Sequence, residues 1–143
     1  MYMATKQSGN ETLHDLLIIK LFSLYDIEHE IAKILPVMAS NTSDEKLKDA
    51  FNEHFEQTRG QIERLDQVFD LLKTPAKAER SASIRGIAED GQWVMKHITN
   101  PEAKDAMLLA TAQYVEHLEI AGYGSACAWA EEMGHDEIAE LLQ

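Results

Sequence analysis

Apolar residues at Leu17, Leu21, Leu24, Ile31 and Leu35 recur every three to four positions, the pattern of a helix with one buried face. Glu28 interrupts it. At ~100° per residue, Glu28 falls within roughly 25° of the centre of that stripe. A carboxylate directed into a core is costly unless it is paired, protonated or bound to a cation. The first helix therefore carries either a functional acid or an expensive irregularity. Further stripes follow the same period. Phe51, Phe55, Thr58, Ile62, Leu65 and Phe69 mark a second helix, and Ile84, Ile87, Gly91, Met95 and Ile98 a third. The fourth segment is apolar on almost every side, which predicts a central helix.

End signals bound these segments. Thr12 with Asp15 resembles a capping box, and the helix it opens runs to about Met38. Ser43 is the expected cap of the second helix, which continues to about Leu72. A linker at Thr74 to Arg80 carries Pro75, and Ser81 or Ser83 opens a shorter helix ending near Thr99. Asn100 and Pro101 start the fourth helix, and Gly134 stops it after about Met133. A last helical stretch begins at Asp136 and reaches Gln143 without a C-cap, which raises the expectation that the native chain continues or that this tail docks elsewhere. No strand alternation occurs. The predicted fold class is all-α, an antiparallel four-helix bundle with an additional short helix, over residues 12–143, after a flexible tail at 1–11.

Composition narrows the function classes. Twenty-five acids against thirteen bases give a formal net charge of -12, which disfavours nucleic acid and anionic membranes as partners and suits cations. No apolar run is long enough to span a bilayer, and the opening residues lack the apolar core of a signal peptide. A single cysteine, Cys127, rules out an intrachain disulfide and reads as core filler. A cytoplasmic location is the expectation.

Candidate chemistry is confined to acids and histidines. Glu-His-Phe-Glu at residues 53–56 and Glu-His-Leu-Glu at 116–119 repeat a pattern that common helix formers also produce by chance. Glu116 and Glu119 project from adjacent turns of one face, and Glu119 lies among small residues. Like charges at that spacing repel, and a shared cation relieves the repulsion. A solvated acidic edge is the alternative. On the second helix, Glu53 and Glu56 fall on the solvent side, while His54, Gln57 and Gln61 form a stripe beside the apolar one. His54 is the best ligand candidate there, against the commoner role of a packed, hydrogen-bonded histidine. Glu89 points away from the apolar face of the third helix. His14, His29, His97 and His135 read as surface residues. No glycine-rich phosphate loop, paired-cysteine site or strand-borne nucleophile is present.

Several stretches together resemble the YciE/YciF-type ferritin-like stress proteins. They are Leu24 to Glu28, His54 to Thr58, Gln61 to Leu65, Gly86 to Glu89, Val115 to Gly124, Trp129 to Glu131 and Gly134 to Glu137. The resemblance covers nearly the whole chain after residue 12. It implies a ferritin-like bundle, a homodimer, and a di-metal site of iron or manganese, with a role in stress response. Carried onto this chain, it implies metal ligation by Glu28, His54, Gln57, Glu89, Glu116 and Glu119, and so raises Glu89 above what periodicity supports. There are departures. The Glu-x-x-His spacing of ferritins occurs only at Glu11/His14 and Glu132/His135, and Gln57 stands where relatives often carry glutamate, a better ligand for a hard cation. Relatives also continue into a further helix.

Two functions are expected from this. The first is a metal-binding protein that oxidises ferrous iron or consumes peroxide, whether or not it turns over as an enzyme. The second is a structural or interaction protein with a vestigial site, in which Glu28 is protonated or bonded to Tyr25, Tyr123 or His54.

Overall fold

The computed structural model describes residues 9–143, so most of the tail expected at 1–11 lies outside the described residues. Five helices follow: α1 (Leu13–Ser40), α2 (Glu45–Leu71), α3 (Ala82–His97), α4 (Pro101–Glu132) and α5 (Asp136–Leu142). There is no strand among the described residues, and no helix is long and apolar enough to cross a membrane.

The end signals act largely as their chemistry dictates. Thr12 and Asp15 form the reciprocal capping box, and the Asn100 side chain accepts from the Ala103 amide with Pro101 at the first helical position. Gly134 adopts φ +74°, the left-handed conformation that lets the His135 amide turn back to the Ala130 carbonyl and close α4. Ser43 does not cap α2. Asp44 does, accepting from the Leu47 amide, because both the backbone and the hydroxyl of Ser43 are taken by Asp105 of α4. Helix α1 also runs on to Ser40, past Pro36.

Cross-helix contacts give the topology. Lys20 meets Trp129, Glu28 meets Tyr123 and Ser43 meets Asp105, so α1 and α4 are antiparallel. Phe22 packs against Phe69 and Tyr25 donates to Asp66, so α1 and α2 are antiparallel as well. Asp26 accepts from the Ser81 amide and Glu30, one turn later, pairs with Arg85, so α3 runs parallel to α1. The result is an up-down-up-down bundle in which α2 and α4 face each other through side chains, and α5 folds back onto α4 and α2. All five stripe leucines and isoleucines of α1 are buried. Gly122 lets α4 approach α1: a Cβ there would come within 2.6 Å of Leu24 Cδ2. Helix α4 is less central than its composition suggests, since Met107, Leu109, Tyr114 and Ile120 remain exposed on its outer side. Helix α5 buries Ile138, Ala139 and Leu142.

Candidate metal centre

Glu28 is fully buried, as its place in the stripe requires. Its Oε1 accepts a 2.7 Å hydrogen bond from the Tyr123 hydroxyl on α4, while its Oε2 has no partner among the described residues. Burial first, and the neighbouring Glu119 carboxylate second, push its pKa from 4.5 up to about 8. Tyr123 is itself raised, by burial and by the same carboxylate. The phenol holds Glu28 in place without neutralising it.

Across the bundle, the imidazole of His54 on α2 stands between two acids of α4. Its Nε2 lies 3.3 Å from Glu119 Oε1 and its Nδ1 lies 3.4 Å from Glu116 Oε1. The hydrogen bond to Glu119 leads in raising the His54 pKa, against the opposing effect of burial. Donor atoms of His54, Glu116 and Glu119 lie within 4.8 Å of one another, the spacing of a metal-ligand set. Glu119 and His54 are buried and Glu116 is half-exposed, so the cluster leads from the core to the surface. The two sequence repeats contribute different members: the first supplies its histidine and the second its two acids. The second histidine, His117, is exposed and lies within bonding distance of the Gln113 carbonyl of its own helix.

The residues fit a cation. Carboxylates and imidazole suit iron or manganese. The free oxygen of Glu28 is a fully buried acceptor that feels the charges of Glu119 and His54, although it lies outside their 4.8 Å donor cluster. Two further buried acceptors without partners, Thr58 Oγ1 and Gln61 Oε1, follow His54 along the same side of α2. Gln61, Arg64, Glu116, Glu119 and Tyr123 also line a cavity of about 220 Å³ that opens to solvent beside the end of α5.

The remaining sequence candidates stand apart. Gln57 is exposed and donates to Glu53, one turn earlier on its own helix. Glu89 is exposed on α3, which packs on α4 and α1 rather than on α2. Neither joins the His54 cluster. Tyr25, considered as a partner for Glu28, donates instead to Asp66.

Sequence reasoning missed two buried acids. Asp26 accepts from the Ser81 amide and from the Arg85 guanidinium; burial works to raise its pKa, and these bonds outweigh it and leave the carboxyl low. Asp105 receives the Ser43 hydroxyl and the amides of Ser43 and Asp44, which hold its pKa down. Both fasten helices together and leave no free oxygen for a ligand.

A family described as a domain of unknown function, DUF892, matches residues 12–143. The protein YciF of Escherichia coli K12 is 38% identical over 134 residues, covering 93% of this chain and 81% of YciF. The crystal structure of that protein, described as a stress protein, superposes with a TM-score of 0.85 at 39% identity, covering 92% of this chain and 84% of the other. YcfI of Rhodopseudomonas palustris, proposed to be a structural protein, superposes with a TM-score of 0.92 at 38% identity, covering 96% of this chain and 88% of its own. On sequence and fold alike, the chain belongs to the DUF892 family.

Proposed function

We propose that this protein binds a transition-metal cation, iron or manganese, in the interior of a ferritin-like bundle and acts in stress protection. His54 and Glu119 are the buried donors and Glu116 the donor nearest solvent, with the buried Glu28 carboxyl outside that cluster but within electrostatic reach of Glu119 and His54. The observation that carries this reading is the His54 imidazole set between Glu116 and Glu119 with their donor atoms within 4.8 Å of one another, and a fully buried, unpaired Glu28 oxygen within their electrostatic reach supports it. Bound iron would supply one-electron chemistry towards oxygen or peroxide. The protein's own part is to hold the donors, keep bulk water from Glu28 and fix the Glu28 carboxylate through Tyr123. A cytoplasmic homodimer is the form in which we expect it to work.

Reconstitution tests the reading. After anaerobic loading with ferrous iron or manganous ion and desalting, elemental analysis should find near-stoichiometric metal in the native chain and much less in Glu119→Gln. Trace metal in the native chain overturns it.

A second reading also has its own observation. His54, held between Glu116 and Glu119 with its pKa raised, forms a closed ion-pair cluster when protonated and then has no need of a cation. On that reading the site is vestigial and the protein is structural, the role proposed for its relative YcfI.

A further inference from the structure

A second cluster of side chains lies about 12 Å along α1 from Glu28, taking eight residues at 1.5 Å each. The first half of α1, the linker between α2 and α3, and the end of α4 enclose a cleft of about 550 Å³. Lys20, Lys77 and Arg80 line it, and Glu79 is the one carboxylate among its lining residues. In a chain of net charge -12, this local excess of positive charge reverses the prevailing sign.

Two of the three cations are held in place. The Lys20 ammonium stands 5.9 Å from the ring centre of Trp129, and that of Lys77 stands 5.6 Å from the ring of Phe22. Lys77 also reaches Glu79 at 2.6 Å. Arg80 is exposed and has no ion pair or hydrogen bond among the described residues. Apolar surface lines the cleft too: Leu16 and Ile19, on the same helix as Lys20, are 41% and 49% exposed, and Trp129 lies under the Lys20 ammonium.

From this arrangement we infer that the cleft binds a small amphipathic anion, an acidic head group carried on an apolar body. The body lies along Leu16, Ile19 and Trp129, and the head group faces Arg80 and Lys20. The volume falls in the ~300–1,000 Å³ range of small-molecule clefts, and the concave shape suits such a ligand better than the flatter surface a protein partner needs. Charge selects an anion, and the exposed Leu16 and Ile19 select one with an apolar portion.

The two tryptophans allow a direct test. Trp93→Phe on α3 leaves Trp129 as the sole tryptophan of the 143-residue chain. Decanoate below its micellar concentration is titrated into this variant, with calorimetry for binding and fluorescence for location; decanol and inorganic phosphate serve as comparisons. Decanoate should bind saturably with a change in Trp129 emission, and both comparison compounds should bind at least about fivefold more weakly. Arg80→Glu, at an exposed position, should weaken decanoate by about the same factor with an unchanged melting temperature. Absence of binding, binding that leaves Trp129 unaffected, equal affinity for decanol or phosphate, or indifference to Arg80→Glu each overturns the proposal.

Discussion

The hydroxyl of Tyr123 donates to one oxygen of Glu28 and leaves the other oxygen, equally buried, without a partner. This half-satisfied carboxylate links fold to function. With its pKa raised to about 8 the group is largely protonated at neutral pH, and on the metal-binding reading a cation would take the place of that proton.

Tyr123→Phe should remove the one hydrogen bond that Glu28 has. Leaving a buried acceptor wholly unsatisfied costs about 1–3 kcal/mol, so the variant should unfold at lower denaturant by a corresponding amount. Equilibrium urea melts of the metal-free protein measure it. An unchanged midpoint would mean that Tyr123 does not hold Glu28 in solution.

The raised pKa of Glu28 gives a pH dependence of definite sign. The folded protein retains a proton up to about pH 8 that the unfolded chain releases near 4.5. Folding therefore takes up a proton between those values, and the stabilisation is present below about pH 4.5 and lost as pH rises towards 8. His54, also raised, adds a loss of the same sign above its ordinary value of 6.5. In the metal-free state, the native protein should lose more stability between pH 5 and 8 than Glu28→Gln does. Parallel stability curves for the two would contradict the assignment.

Glu28→Leu separates the two readings of the site. It restores the apolar stripe and removes a buried, partly unsatisfied acid, so the metal-free protein should melt at the same or a higher temperature. If the site binds metal, the same variant should hold less of it and gain less stability from added manganous ion. No metal-induced stabilisation in either protein would favour the vestigial site, and equal stabilisation in both would show that metal binds without Glu28.

Arg85 completes the bonding of Asp26 and fastens α3 to α1. Arg85→Met strips most partners from a buried carboxylate, for which a cost of about 1–3 kcal/mol is expected. Hydrogen exchange should rise selectively in α3 while the α1–α2 pair stays protected. Uniform change across the helices would show that the pair does not act locally.

These features differ in how far the sequence reveals them. Glu28 is legible because a single helix defines its angle: the apolar residues four before and three after it fix which way it points. The stripe of α2 likewise put His54 on the flank and Glu53 and Glu56 outside. Gln57 was grouped with His54 by spacing, yet it sits exposed, because three residues of helix are enough to rotate a flank position into solvent. Asp26 and Asp105 stayed hidden for another reason. Their partners lie 55 to 62 residues away on other helices, and no periodicity along one helix reports such a pairing. Ser43 shows the same limit: its local chemistry suits an N-cap, but a tertiary acid recruits it, and Asp44 caps the helix instead.

On the metal-binding reading a cation sits among His54, Glu116 and Glu119, within electrostatic reach of Glu28. Crystals of the manganese-loaded protein, measured for anomalous scattering near the manganese edge, test it most directly. The account predicts a strong anomalous peak between α1, α2 and α4, within coordination distance of His54 and Glu119, and its loss in Glu119→Gln. A fully loaded crystal with no peak at that position, or with one only at the protein surface, would contradict it.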